Sequence, residues 1–135
     1  MACWIAKSEP STYSWEQLVH DKKTRWDGIR NAQARNNLAA MKKGDDVLIY
    51  HSGDDKAVVG IATVARAAYQ DPTIDDERWL CVDLAAKKPL PSPVTLATIK
   101  STPALKQIGL VRQGRLSVVP ITDAEMRTIV ALAKK

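Results

Sequence analysis

The chain alternates short apolar runs with turn-forming residues. Runs typical of β-strands cover residues 3–7, 47–51, 58–68, 79–86 and 116–120. An acidic loop that contains Pro72 separates the third run from the fourth, and residues 88–93 hold three prolines and must be extended. Strands therefore dominate the middle of the chain.

Capping signals mark the helices near both ends. Ser14 and Gln17 have the spacing of a capping box, and so do Thr122 and Glu125. Gly44 suits the C-terminal cap of a helix that begins at residue 31. The predicted helices cover residues 15–20, 31–44 and 96–101, with a further helical turn from residue 103 and a C-terminal helix carrying Met126, Ile129, Val130 and Ala133.

This order of elements predicts an α+β fold. No βαβ alternation is present, which argues against a parallel doubly wound sheet. We expect a small mixed sheet, curled or closed into a barrel, with short helices packed on it. At 135 residues the chain is the size of a single domain, and we expect residues 1–135 to form one.

Composition indicates an ordinary intracellular globular protein. Hydrophobic residues make up 45% and charged residues 26% of the chain. Cys3 and Cys81 lack CxxC or metal-ligand spacing, which favours reduced packing thiols over a disulfide and predicts no metal site. No signal peptide or apolar run of membrane-spanning length occurs, so we expect a cytoplasmic protein with no membrane contact and no cofactor.

Charge is unevenly distributed around the net value of +5. Residues 1–45 carry eight basic and five acidic side chains, residues 46–86 carry three and eight, and residues 87–135 carry nine and two. If both ends of the chain meet in the fold, they form one basic surface suited to a polyanion such as nucleic acid. An ordinary solvated surface explains the composition equally well.

The aromatic residues are four Trp and three Tyr, with no Phe. Trp and Tyr add a polar group to a flat face, which suits them to ligand contacts as well as to packing. Trp15 and Trp79 are assigned to the core. Trp26 lies in a polar connection, where its ring either covers the core as a lid or faces a ligand. Because large aromatic side chains are usually buried, the residue type by itself favours the first alternative.

Two segments together supply stacking, donor and acceptor groups. Residues 50–52 (Tyr-His-Ser) end a strand at a turn, where they can meet residues 7–9 (Lys-Ser-Glu) from another strand end. Such groups can hold an unstacked base by its face and its edge. Each residue singly has a structural explanation, with Tyr50 in the core and Ser52 beginning the turn.

Sequence motifs of common catalytic sites are absent. The chain has two histidines, and it contains no HxxxH, HxE…CxxC, glycine-rich phosphate loop or GxSxG pattern. Residues 112–115 (Arg-Gln-Gly-Arg) form a basic connection that is either a phosphate-contacting loop or ordinary surface.

Read in order, several segments resemble the EVE domain family. The matching strings are WIAKSEP at 4–10, YSW at 13–15, WDGIRN at 26–31, ARNNL at 34–38, YHS at 50–52, VGIA at 59–62 and RQGRLSV at 112–118. They span nearly the whole chain at the expected separations. Gly114 stands where a serine is expected.

This resemblance implies a PUA-like fold, a curled and mostly antiparallel β-barrel with short flanking helices, related to YTH and ASCH domains. It also implies a pocket for a modified base, modified cytosine being the usual suggestion, and it favours Trp26 as ligand-facing. The implied pocket wall consists of Lys7, Ser8, Trp26, Arg30, Asn31, Tyr50, Ser52 and Ser117, with Arg112 and Arg115 as phosphate contacts.

The leading hypothesis is therefore a binding module, monomeric and without catalysis, whose partner is DNA or RNA that carries a modified base. Flipping a base costs a few kcal/mol and stacking returns about 1–3 kcal/mol, so phosphate contacts must supply the rest. The alternative is a small hydrolase acting on a modified nucleoside, as in ASCH-type relatives. In that case Lys7 and Glu9 would activate the nucleophile and carry the acid–base chemistry, which requires burial of Lys7 or a cationic neighbour to lower its pKa.

Overall fold

The computed structural model describes residues 2–112 and 116–133. Its six strands are β1 (Cys3–Ser8), β2 (Lys23–Trp26), β3 (Asp46–His51), β4 (Ala57–Gln70), β5 (Leu80–Thr95) and β6 (Val118–Ile121). Its α-helices are α1 (Trp15–Asp21), α2 (Ala32–Ala40), α3 (Leu96–Lys100), α4 (Gly109–Arg112) and α5 (Asp123–Leu132), and a 3-10 turn covers Pro103–Leu105. No helix in this part of the chain is long and apolar enough to cross a membrane.

All strands belong to one mixed sheet in the order β2-β5-β4-β3-β1-β6. The β1–β3 pair is parallel and the other four pairs are antiparallel. Within the described residues the end strands β2 and β6 do not pair with each other, so the sheet is open and not a closed barrel. It is nevertheless curled, because Ser8 of β1 and Trp26 of β2 line one cleft although three strands separate β1 from β2.

The core lies on both faces of the central strand β3. Consecutive side chains of a strand point to opposite faces, and Val47 through Tyr50 are all buried. The predicted capping box of α5 is present, since Thr122 and Glu125 each accept a hydrogen bond from the other's backbone amide. Ile129, which is fully buried, anchors α5 to the rest of the molecule.

Trp15 packs against the sheet at a glycine, as its predicted place in the core requires. Its side chain is buried, and a Cβ atom built on Gly60 of β4 would lie 2.4 Å from the indole Cε2. Only a residue without a side chain leaves room for the ring at this distance. The backbone amide of Trp15 donates to Nε2 of the buried His51 at 2.9 Å, which ties the start of α1 to the end of β3.

The predicted helix over residues 31–44 is shorter in the structure. Helix α2 ends at Ala40, and the carboxylate of the buried Asp45 accepts hydrogen bonds from the Lys42 amide at 2.9 Å and the Trp4 indole at 3.1 Å. Gly44, with φ of +95°, donates its amide to the Val64 carbonyl at 2.9 Å. Gly44 therefore serves a turn that leads into β3 and does not cap the helix.

Two further expectations are wrong. Trp26 does not lie in a connection but ends strand β2, which pairs with residues 82–85 of β5. Trp79 is not in the core: it lies partly exposed just before β5, with the guanidinium carbons of Arg35, Arg30 and Arg78 at 5.5, 5.8 and 6.0 Å from its ring centre. Cation–π contacts with arginine suit an indole at the protein surface.

Candidate functional site

A cleft of about 500 Å³ opens where the end of β1 faces β2 and the loop after it. Its volume lies within the range of small-molecule pockets. The lining residues come from residues 7–13 and 24–29 and are Lys7, Ser8, Glu9, Thr12, Tyr13, Thr24, Arg25, Trp26, Asp27 and Ile29. Of the predicted pocket wall, the cleft brings together Lys7, Ser8 and Trp26.

The aromatic surface of the cleft is formed by Trp26 and Tyr13. Their rings meet edge to face, with centres 6.2 Å apart and planes at 87°. The Tyr13 hydroxyl donates to Asp21 at 2.8 Å, and the Ser8 hydroxyl donates to the Tyr13 carbonyl, so both ends of Tyr13 are fixed. Trp26 lines the cleft but is only 8% exposed, so most of its ring packs on the core.

Lys7 and Tyr50 lie side by side on the paired strands β1 and β3. The Lys7 ammonium is 5.9 Å from the centre of the Tyr50 ring. Burial lowers the pKa of Lys7 and raises the pKa of Tyr50, because in each case the charged form loses hydration. Tyr50 is 4% exposed and lies behind Lys7, outside the set of cleft-lining residues.

Ser52 and Ser117 border the β1 end of the cleft through their backbones. The Ser52 amide donates to the Ser8 carbonyl, and the Lys7 amide donates to the Ser117 carbonyl, both at 2.9 Å. These bonds hold the β1 backbone from its two sides. Neither serine is among the cleft-lining residues.

Arg30 and Asn31 lie beyond the cleft, in the connection to α2. Asn31 caps that helix, its side-chain oxygen accepting the Ala34 amide at 2.9 Å. The Arg30 guanidinium donates to the Asp71 carboxylate at 3.1 Å and to the Ile29 carbonyl at 3.0 Å. Both residues thus fix the segment that follows Trp26.

Sequence reasoning missed Asp71, whose side chain is fully buried between that segment and the β4–β5 loop. Its carboxylate accepts hydrogen bonds from the Gly28 amide at 3.0 Å, from Arg30, and from the Thr73 amide and hydroxyl at 2.8 and 2.5 Å. Burial by itself raises the pKa of Asp71, but these bonds outweigh it and hold the pKa well below its usual range. The signal in the sequence was the order Asp71, Pro72, Thr73, typical of an Asx turn.

Tyr13 and Asp27 were also missed as cleft residues. Tyr13 is part of the string at residues 13–15 that matched the family pattern. Its hydroxyl group, which a Phe would lack, was the available sign of a role beyond packing. Asp27 follows Trp26 directly, and its carboxylate accepts the Arg25 Nε–H at 2.8 Å.

Of the predicted phosphate contacts, Arg112 lies away from the cleft. Arg112, at the end of α4, donates to Gln107 at 2.7 Å and lines a second depression of about 470 Å³ with Gln33 and Asn37 of α2. This depression shares no lining residue with the cleft. Arg115 falls outside the described residues. The roles assigned to all predicted site residues stay predictions.

Within residues 2–112 and 116–133, no group of three His, Cys, Asp or Glu side chains is placed to hold a metal ion. Cys3 and Cys81 are buried free thiols. The residues that line the cleft offer aromatic contact, hydrogen bonding and charge.

Comparison with known proteins gives the same family along the whole chain. The model of the EVE domain matches residues 2–132. Human thymocyte nuclear protein 1 is 31% identical over 98% of this chain and 74% of that protein. The crystal structure of a protein from Agrobacterium tumefaciens, 40% identical, superposes with a TM-score of 0.96 over 98% of this chain and 93% of its own.

A further solved structure carries a ligand. It is the crystal structure of human THYN1 protein in complex with DNA containing 5-methylcytosine, 30% identical, with a TM-score of 0.94 over 100% of this chain and 99% of that chain. An ASCH protein from Zymomonas mobilis, 16% identical with a TM-score of 0.63, shares the fold alone. The predicted α+β, PUA-like fold is confirmed, and the chain belongs to the EVE domain family.

Proposed function

We propose that this protein binds nucleic acid and recognises a modified base, a modified cytosine in DNA foremost, which it takes up in the cleft. The observation that carries the proposal is the human relative in complex with DNA containing 5-methylcytosine, because its structure matches this chain over its full length. The protein acts as a binding module.

The cleft supports the proposal through its combination of groups. Trp26 and Tyr13 offer an aromatic surface, and Lys7 and Asp27 offer a donor and an acceptor beside it. A base inside a duplex exposes neither its face nor its pairing edge, so it must leave the stack to use these groups. Aromatic contact returns about 1–3 kcal/mol of the few kcal/mol that unstacking costs.

The remaining free energy comes from phosphate contacts, for which Arg112 and Arg115 are the candidates. Such contacts fix the protein on the strand and carry no information about the base. We therefore propose that the cleft recognises the base and that these arginines bind the phosphates. RNA offers the same phosphates and is included in the proposal.

A pulldown from cellular nucleic acid tests the proposal. Tagged protein is incubated with sheared DNA and, separately, with RNA, and the bound fraction is digested to nucleosides and analysed by mass spectrometry. We expect a modified cytidine to be enriched over its level in the input. Recovery of all nucleosides in input proportions would contradict recognition of a modified base.

A second candidate function is hydrolysis of a modified nucleoside. Burial lowers the pKa of Lys7, which is the change an amine needs to act as a base near neutral pH, and the Glu9 carboxylate lines the same cleft. Incubation of the pure protein with a panel of modified nucleosides, followed by mass spectrometry, tests it. A product that the Lys7→Met variant does not form would establish an enzyme.

A further inference from the structure

Two carboxylates line the cleft, and they are held differently. Asp27 is partly buried, with its side chain 32% exposed, and its Oδ2 accepts the Arg25 Nε–H at 2.8 Å. Glu9 is exposed, and its contact with the Ser11 hydroxyl is 3.5 Å long. Of the two carboxylates, Asp27 is therefore the one whose orientation is fixed by a hydrogen bond.

The pairing with Arg25 uses one oxygen of Asp27. Among the described residues, no hydrogen bond involves the other oxygen, Oδ1. An ionised carboxylate accepts hydrogen bonds and donates none, so Oδ1 is an acceptor only. It stands on the residue next to Trp26, beside the aromatic surface of the cleft.

The pyrimidines differ in what they present to such an acceptor. Cytosine carries an amino group at position 4, whereas thymine carries a carbonyl oxygen there, and Asp or Glu is the usual acceptor for the cytosine amino group. The bond to the sugar fixes which edge of a stacked base can face Asp27. A 4-amino group can then donate to Oδ1, while a 4-oxo group would place two acceptors against each other.

We propose that Asp27, held by Arg25, makes the cleft selective for 4-aminopyrimidines, so that it accepts cytosine and its 5-substituted forms and rejects thymine. This inference rests on the proposed function, since it assigns base identity to one side chain of the proposed site. Recognition of the base and recognition of its modification are then separate properties. Asp27 accepts a hydrogen bond from the group at position 4, and other surfaces of the cleft contact the substituent at position 5.

Thymine is the decisive probe, because 5-methylcytosine and thymine carry the same methyl group and differ at positions 3 and 4. Affinities are measured for DNA oligonucleotides of one sequence with a single central 5-methylcytosine, cytosine or thymine. We expect wild type to bind the 5-methylcytosine strand roughly tenfold or more tightly than the thymine strand. Asp27→Asn, whose amide can turn its NH₂ toward a 4-oxo group, should bring this ratio close to one.

Glu16→Gln is the matched control, because Glu16 is an exposed carboxylate of α1 that does not line the cleft. It should leave the ratio unchanged. Arg25→Ala, which frees the Asp27 carboxylate, should lower the ratio in part, and melting curves verify that each variant is folded. Asp27→Ala serves as the second variant and should also bring the ratio close to one.

The outcomes separate this inference from the proposed function. Equal binding of 5-methylcytosine and thymine by wild type overturns the role of Asp27 even if cytosine binds more weakly than 5-methylcytosine. Glu9→Gln removes the charge of the other cleft carboxylate. If Glu9→Gln abolishes the preference for 5-methylcytosine over thymine and folded Asp27→Asn keeps it, the role of Asp27 is overturned as well. Equal binding of cytosine and 5-methylcytosine, both preferred over thymine, supports the role of Asp27 and contradicts recognition of the modification.

Discussion

The Nη1 atom of Arg30 lies 3.1 Å from Oδ2 of Asp71, a carboxylate that is fully buried. The same oxygen accepts the Gly28 amide at 3.0 Å. Asp71 thereby ties the loop after β4 to the residues that follow Trp26, and the cleft wall depends on a group that does not line the cleft.

Asp71→Asn should destabilise the fold. The change removes the charge that Arg30, Gly28 and Thr73 solvate, and hydrogen bonds to charged groups are each worth about 1.5–3 kcal/mol. Arg30 is 37% exposed, so the ion pair itself adds little beyond those bonds. We expect the free energy of unfolding, measured in urea, to fall by on the order of 1.5–3 kcal/mol. A midpoint equal to that of wild type would show that the loops are held by other contacts.

Asp71 should also give the stability a characteristic dependence on pH. Its pKa is lower in the folded state than the ordinary value of 3.8, so the unfolded state binds the proton more readily. The stabilisation is fully present above that ordinary value and is lost as pH falls below it toward the folded-state pKa. Between pH 5 and pH 2, wild type should lose more stability than Asp71→Asn; parallel curves would contradict this.

Gly60→Ala should destabilise the protein through Trp15. The new methyl group would lie 2.4 Å from the indole, and overpacking of a core costs about 1–3 kcal/mol. Chemical denaturation measures the loss. In the Trp15→Leu background the added cost of Gly60→Ala should shrink, because the smaller side chain leaves space; an undiminished cost would place the strain in the backbone.

Ile129→Ala should loosen helix α5. Ile129 is fully buried, and such truncations cost about 2–5 kcal/mol. Val19→Ala is the comparison, since Val19 is 48% exposed and its truncation should stay within about 0.5 kcal/mol. If both variants unfold at the wild-type midpoint, α5 is not anchored to the rest of the fold as described.

The sequence predicted those helices and strands whose formation depends on residues nearby in the chain. Ser14 and Thr122 cap α1 and α5 through residues three positions ahead, and the apolar runs at residues 47–51 and 58–68 form strands as expected. Strand β2 was missed because its residues, with Lys23 and Arg25, lack an apolar run and take their conformation from pairing with β5. Such pairing depends on residues about 60 positions away in the chain.

In the site, too, residues in local motifs were predicted and residues that act through distant contacts were missed. The family strings located Lys7, Ser8 and Trp26, which share the cleft. They also named Arg30 and Asn31, which lie in the connection to α2 and do not line the cleft. Asp71 bonds to partners 41 and 43 positions away, so no local pattern marked it beyond its turn. A residue that positions a site from a distant loop is visible only in the fold.

Phosphate contacts should be separable from base recognition. Arg112→Ala should weaken binding to modified and unmodified strands alike and flatten the plot of log affinity against log salt by roughly 0.7–0.9. Arg127→Ala, on the exposed side of α5 and outside both the cleft and the depression at Arg112, is the matched control. An unchanged slope for Arg112→Ala would remove that arginine from the interface.

The most direct measurement is the ratio of affinities for two oligonucleotides that differ only in one 5-methyl group on cytosine, taken for wild type and for Trp26→Ala. Trp26→Ala must keep a folded melting transition, because the ring is 8% exposed and also packs on the core. We predict that wild type prefers the methylated strand, and that Trp26→Ala loses about 1–3 kcal/mol of preference at an unchanged salt slope. Full discrimination by folded Trp26→Ala would make Trp26 a lid on the core and leave the stacking role to Tyr13, the other aromatic residue of the cleft. Equal affinity of wild type for the two strands would contradict modified-base recognition itself.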